Sequence, residues 1–78
     1  MRQKVKVSRL ADSTDDYVVV SWSVGVGDRI EQGEPLVILE TDKTEVEMDS
    51  PVSGTVAELL VADGDDVRTG QPICVVEA

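Results

Sequence analysis

The 78-residue sequence predicts one small all-β domain, a sandwich or flattened barrel built from two similar halves. Three observations support this prediction: an internal repeat, short runs rich in β-branched residues, and turn residues about every eight to twelve positions. Apolar residues at helical spacing are not sustained anywhere in the chain, so we expect essentially no helix.

The repeat relates residues 24–40 to residues 61–77 at a constant offset of 37 positions. Six of its 17 pairs are identical, and four more exchange one aliphatic side chain for another. Two copies are too few for a solenoid. They predict two halves that face each other across a pseudo-twofold axis.

Apolar runs and the turn residues between them define the candidate strands. In chain order the runs cover residues 4–7, 18–24, 36–39, 45–49, 55–60 and 73–76. Trp22 is in strand phase with Val18 and Val20, so we expect its side chain in the core. Gly-Asp and Gly-x-Pro groups separate the runs; glycine there allows a positive φ, and a Gly33→Val substitution is expected to harm folding.

Asp42 and Lys43 lie where the chain turns between two of these runs. A lysine at the tip of a hairpin points its amine into solvent, where another enzyme can reach it. At the opposite end of a symmetric fold, Glu77 and the 4–7 strand should bring the two chain termini together. Only one end therefore presents a turn with a lysine on it.

Composition argues against several functional classes. The net charge of −9 and the pI of about 4.1 argue against nucleic-acid and anionic-membrane partners. The chain has no histidine, the commonest general base and metal ligand, and we expect neither a catalytic residue nor a metal site. No run is long enough to cross a bilayer and no secretion signal is evident, which favours an intracellular location. Cys74 lies in an apolar run and is expected to be buried.

Two weaker patterns predict turns and not ligand sites. Gly25-x-Gly27 lacks the third glycine of a nucleotide-binding loop, and no helix follows it. The acidic group Asp63, Asp65 and Asp66 lacks the glutamate that a calcium-binding loop requires.

Four segments of the chain form a specific combination: Glu40–Lys43 (ETDK), Ser50–Val56 (SPVSGTV), and the two Gly-Asp and Gly-x-Pro segments at 27–36 and 64–73. Together they resemble the lipoyl domain of the acyltransferase (E2) subunit of 2-oxo acid dehydrogenase complexes. The resemblance covers about residues 3 to 77, and its combination of motifs is more specific than any one of them.

The resemblance implies a flattened eight-stranded β-barrel of two four-stranded sheets, with residues 1–78 forming one monomeric carrier domain. Lipoic acid would be attached to Lys43 by a lipoate–protein ligase or an octanoyltransferase. The arm would be reductively acylated by a 2-oxo acid decarboxylase (E1), deliver the acyl group to coenzyme A at a separate E2 catalytic core, and be reoxidised by dihydrolipoamide dehydrogenase (E3). The domain itself would not be an enzyme.

The same resemblance assigns supporting roles. Glu40 and Gly27 would help the ligase identify its target, Asp42 would orient the lysine, and the Ser8–Asp16 loop would contribute to recognition by the decarboxylase. A cytoplasmic location is expected, or the mitochondrial matrix if the domain belongs to a longer precursor.

Two alternatives remain open at this point. A biotin carboxyl carrier domain shares the fold, but such domains have methionines on both sides of the lysine, whereas Asp42 and Thr44 flank it here and favour lipoate. The second alternative is an unmodified structural domain of the same type.

Overall fold

Eight short β-strands form the secondary structure of the computed structural model, which describes residues 1–10 and 14–78. They are β1 Arg2–Lys6, β2 Asp16–Trp22, β3 Arg29–Ile30, β4 Pro35–Glu40, β5 Glu45–Asp49, β6 Gly54–Leu59, β7 Asp66–Arg68 and β8 Pro72–Glu77. The described part of the chain contains no helix, as the sequence predicts. It therefore also holds no helix that could cross a membrane.

The strands form two four-stranded antiparallel sheets with the orders β1-β8-β6-β3 and β5-β4-β2-β7. The predicted number of strands and sheets is confirmed. The sheets lie against each other as a sandwich and do not close into a barrel, because the strand pairs of the described residues all fall within one sheet or the other.

The internal repeat is visible in the strand order. Adding 37 to the residue numbers of β4, β2 and β3 gives positions in β8, β6 and β7, respectively. One sheet order then becomes the other, with β5 of one half taking the place of β1 in the other. The pseudo-twofold relation predicted from the repeat therefore holds for whole strands.

Paired glycines carry the same symmetry into the turns. Gly33 and Gly70, 37 residues apart, have φ values of 92° and 88°. Their N–H groups donate to the carbonyls of Ser50 and Val7, each at 2.8 Å. The positive φ expected at Gly33 is confirmed. Glycine adopts such a φ with little strain at both turns, because it has no Cβ.

Trp22 packs against the core, but not for the reason given by its strand phase. The buried residues before it on β2 are Tyr17 and Val19, whereas Val18 is exposed. The register of β2 on β4 shifts between Val19 and Ser21. This bulge changes the side-chain alternation, so that Trp22 ends up half-buried on the core side and donates its Nε1–H to the Val61 carbonyl at 3.0 Å.

The core between the sheets consists mainly of aliphatic side chains, which both halves supply. Its buried members are Val5, Val7, Tyr17, Val19, Ile30, Leu36, Val37, Leu39, Met48, Val56, Val67, Ile73, Cys74 and Val76. Cys74 is fully buried, as predicted, and burial raises the pKa of its thiol to about 11. A neutral thiol in this position is a packing group and not a nucleophile.

The two ends of the sandwich differ in their connections. At one end a four-residue turn joins β4 to β5. At the other, Glu77 pairs with Arg2, and the Ala78 N–H donates to the Met1 carbonyl at 3.0 Å. The chain termini therefore meet, as the repeat predicts, where the other half of the molecule has its hairpin turn.

Candidate functional site

Lys43 lies at the tip of the β4–β5 hairpin. The last paired residues of the two strands are Glu40 and Glu45, and residues 41–44 form the turn between them. The side chains of Asp42 and Lys43 are exposed. The predicted position of the lysine is thus confirmed, because a tight connection between two paired strands leaves the central residues no core to enter.

A single side chain, that of Thr41, organises the turn. Its Oγ1 accepts the N–H of Lys43 at 3.2 Å and the N–H of Thr44 at 3.1 Å, and its hydroxyl also lies 3.2 Å from the Thr44 carbonyl. The Thr41 N–H donates to the same Thr44 carbonyl at 2.8 Å. This arrangement is the local turn that a threonine hydroxyl forms with backbone groups two and three residues ahead.

Carboxylates surround the lysine without holding it. Glu40, Asp42 and Glu45 line the same small concavity as Lys43. Within the described residues, none of these carboxylates lies within ion-pair distance of the Lys43 Nζ. The amine therefore extends into solvent in an acidic environment, where an incoming enzyme can reach it.

A wider open groove of about 910 Å³ runs beside the turn, on the side of β2 and β7. Its lining residues are Thr14, Asp16, Tyr17, Val18, Glu40, Thr41, Asp42, Lys43, Asp66, Val67, Arg68 and Gln71. An exposed ion pair between Arg68 and Asp16, at 3.0 Å, spans the outer part of it. The groove places acidic and apolar surface from distant parts of the sequence next to the amine.

The structure gathers three of the four predicted site residues and leaves one apart. Glu40 and Asp42 lie within the hairpin that carries Lys43. Gly27 lies in the connection between β2 and β3, where its φ is 96° and its N–H donates to the Val56 carbonyl of the other sheet. It does not line the groove or the concavity around Lys43.

Two features of the site are not among the sequence-based predictions. The role of Thr41 could have been found, because a threonine placed two and three residues before the turn amides is a known turn signal. The groove residues Asp66 and Arg68 could not, since they reach the site only through the pairing of β7 with β2, which no local pattern encodes.

The described residues contain no cluster of His, Cys, Asp and Glu that could hold a metal ion. What the fold offers is a rigid hairpin with one exposed primary amine, presented by a sandwich whose single thiol is buried. An exposed amine of this kind can serve as an attachment point, and the chemistry then belongs to the attached group and to its partners.

The sequence matches the family profile described as "Biotin-requiring enzyme" over residues 3–78. The chain belongs to this biotinyl and lipoyl attachment family. It is 45% identical over 73 residues, 94% of its length, to the dihydrolipoyllysine-residue succinyltransferase component of the 2-oxoglutarate dehydrogenase complex of Staphylococcus saprophyticus. The chain spans only 17% of that relative.

Among solved structures, the chain is similar to the lipoyl domain of the 2-oxoglutarate dehydrogenase complex from Azotobacter vinelandii. The TM-score is 0.73 and the identity 27%, over 96% of this chain and 95% of that one. It is also similar to the urea carboxylase of Kluyveromyces lactis, with a TM-score of 0.80 and 25% identity over 99% of this chain and 6% of the other. The chain is thus a non-catalytic carrier domain of the lipoyl type.

Proposed function

We propose that residues 1–78 form a lipoyl carrier domain of a 2-oxo acid dehydrogenase complex, with lipoic acid in amide linkage to Lys43. The observation that carries the proposal is the exposed Lys43 amine on the hairpin tip, within a chain whose relative and structural neighbour are lipoyl-complex components. Asp42 and Thr44, which stand beside the lysine, favour lipoate over biotin.

For attachment, the domain needs only to expose the Lys43 amine to the modifying enzyme. A lipoate–protein ligase activates the carboxyl group of lipoic acid with a nucleoside triphosphate; the Lys43 Nζ then bonds to that carbon, the activating group leaves, and the amine gives up one proton. An octanoyltransferase would reach the same position with an acyl chain. The exposed turn allows either enzyme access, while the paired strands on either side fix where the turn lies on the sandwich.

When bound, lipoic acid would supply a disulfide that can be reduced and that can carry an acyl group. The protein would contribute a firm base for a flexible arm, so that tethering raises the local concentration of the arm at each partner site. The partners proposed are the E1 decarboxylase, the E2 catalytic core and the E3 dehydrogenase, with a cytoplasmic location.

Roles for the neighbouring residues remain proposals of the same kind. Glu40 and Gly27 would help the ligase identify its target, and Asp42, which has no hydrogen bond to Lys43 within the described residues, would act through its charge. Part of the Ser8–Asp16 loop, residues 11–13, lies outside the described residues. Its flanking residues Thr14 and Asp16 line the groove beside Lys43, which supports a role of the loop in recognition by the decarboxylase.

Intact-mass spectrometry tests the attachment. The purified domain is incubated with a lipoate–protein ligase, lipoic acid and ATP, and in parallel with a biotin–protein ligase, biotin and ATP. We expect one lipoyl adduct and no biotinyl adduct. Lys43→Arg should abolish the adduct, whereas Lys4→Arg and Lys6→Arg, which keep the other exposed lysine positions charged, should leave it intact. A biotinyl adduct, or no adduct in either incubation, would favour one of the two alternatives instead.

A further inference from the structure

The Lys43 turn contains a set of side-chain hydrogen bonds that the opposite end of the molecule lacks. At the hairpin, the Thr41 N–H donates to the Thr44 carbonyl at 2.8 Å. At the termini, the Ala78 N–H donates to the Met1 carbonyl at 3.0 Å, and Ala78 is the repeat partner of Thr41. The backbone bond that closes each end is therefore common to both halves and does not depend on a hydroxyl.

The hydroxyl of Thr41 belongs to the hairpin end alone. Alanine occupies the repeat-related position, so no side-chain oxygen is available there. At the hairpin, the Thr41 Oγ1 accepts two N–H groups, those of Lys43 and Thr44. These contacts are not required to close the sandwich, and they act on the backbone of the turn residues themselves.

Little else in the described structure fixes the backbone of Lys43. The side chains of Asp42, Lys43 and Thr44 are exposed and make no contact with the core. The partner of the Lys43 N–H, among the described residues, is the Thr41 Oγ1. Without that acceptor both turn amides would bond to water, and the tip would sample more backbone conformations.

We propose that Thr41 is a positioning residue for the modification of Lys43. Its hydroxyl holds the turn in the conformation in which the modifying enzyme binds the Lys43 amine. This inference rests on the proposed function. A turn that is only partly in the competent conformation lowers the apparent affinity of the enzyme for the domain by the same fraction. At saturation the enzyme still selects that conformation, so the loss falls on KM and not on kcat.

Steady-state lipoylation kinetics with a purified lipoate–protein ligase, lipoic acid and ATP test the proposal. Thr41→Val keeps the branched shape and removes the hydroxyl, whereas Thr41→Ser keeps the hydroxyl. Thr55→Val is the control, because it makes the same exchange at an exposed threonine of β6, in the other sheet and outside the groove and the concavity around Lys43. We expect KM to rise about 3- to 10-fold in Thr41→Val, the factor for one net hydrogen bond, with kcat unchanged.

Thr41→Ser should restore the KM of the unaltered domain, and Thr55→Val should retain it. Nitrogen-15 relaxation of the Lys43 amide should show increased mobility in Thr41→Val only. An unchanged KM in Thr41→Val, an equal effect in Thr55→Val, or a failure of serine to rescue would overturn the proposal. If the unaltered domain acquires no lipoyl group at all, the proposed function fails first, so the two failures are distinguishable.

Discussion

Glu47 and Lys4 occupy equivalent places in the two halves of the sandwich and carry opposite charges. Glu47 pairs with Ile38 on β4, and Lys4 pairs with Val75 on β8. Ile38 and Val75 are repeat partners, 37 residues apart. The backbone is therefore the same around both residues, and only the side chains distinguish them.

The inversion extends along both edge strands. Glu45 corresponds to Arg2 because each pairs with a glutamate of the repeat, and Asp49 corresponds to Lys6 because each pairs with a repeat proline. All of these charged side chains are exposed. The edge that begins at the Lys43 turn is acidic, and its counterpart near the termini is basic. The charges thus break a symmetry that the fold retains.

The first prediction concerns the basic edge. In a chain of net charge −9, Lys4 and Lys6 offset repulsion among the carboxylates. We expect Lys4→Glu combined with Lys6→Glu to lower the free energy of unfolding by about 0.5–1 kcal/mol at low ionic strength, as measured by urea denaturation. The difference should nearly vanish in 1 M salt, where charges are screened over about 3 Å.

The equivalent positions of the other half provide the control for this charge reversal. Glu47→Lys combined with Asp49→Lys changes the same backbone sites in the opposite sense, and should leave stability unchanged or raise it slightly. Destabilisation of similar size in both double variants would show that local contacts, and not the net charge, decide the outcome.

The sequence predicts the two similar halves of this molecule, but not which side chains of each strand face the core. The repeat predicts that β4 and β8 take equivalent places in the two halves, because identical turn residues impose identical geometry. It could not give the phase of β2, because the bulge near Ser21 depends on pairing with β4. Simple alternation therefore predicts both Trp22 and Val18 in the core, whereas Val18 is exposed.

The site shows the same division between local and distant information. Lys43 could be located because a hairpin tip is determined by the two runs on either side of it. The groove beside it could not, because Asp16 and Arg68 are brought together only by the pairing of β2 with β7. Long-range strand pairing has no local signature, so it enters only with the structure.

The second prediction concerns the cost of removing the lysine. Lys43 makes no side-chain contact with the core and no ion pair within the described residues. We expect Lys43→Ala to change the free energy of unfolding by less than about 0.5 kcal/mol, because surface substitutions away from specific contacts are nearly neutral. Urea denaturation of the unmodified domain measures this, and a loss of several kcal/mol would be incompatible with an exposed attachment point.

The third prediction separates two reasons for glycine. A Cβ at Gly54 would lie 2.5 Å from the Glu77 carbonyl oxygen and 2.8 Å from the Val76 Cγ1. Because the oxygen belongs to the paired backbone of β8, Gly54→Ala must displace β6 from its partner strand. We expect a loss of more than about 3 kcal/mol, or failure to fold, by thermal and urea denaturation.

Gly33 and Gly25 complete this comparison. A Cβ at Gly33 would meet nothing within 4 Å, so only its φ of 92° opposes a side chain, and Gly33→Ala should cost about 1–2 kcal/mol. Gly25 has no positive φ, and its Cβ would lie 3.8 Å from the Asp28 Oδ2, so Gly25→Ala should be within about 0.5 kcal/mol of neutral. Any other order of the three variants contradicts this assignment.

The fourth prediction concerns the stability of the domain in alkali. Burial raises the pKa of the Cys74 thiol from 9.0 to about 11. The unfolded chain therefore loses this proton at a lower pH than the folded chain does. The stabilisation is present in full below about pH 9 and is lost as the pH rises to about 11. At pH 10 the loss attributable to Cys74 should be about 1 kcal/mol relative to pH 8.

Cys74→Val isolates this contribution. Val37, the repeat partner of Cys74, is itself fully buried, so valine suits the corresponding position of the other half. All other residues are common to both proteins, so their contributions cancel in the difference. Urea denaturation at pH 8, 9 and 10 should show the original domain losing stability faster than the variant. Parallel pH profiles would mean that the thiol ionises equally in the folded and unfolded chains, contrary to its burial in the core on β8, the strand between β1 and β6.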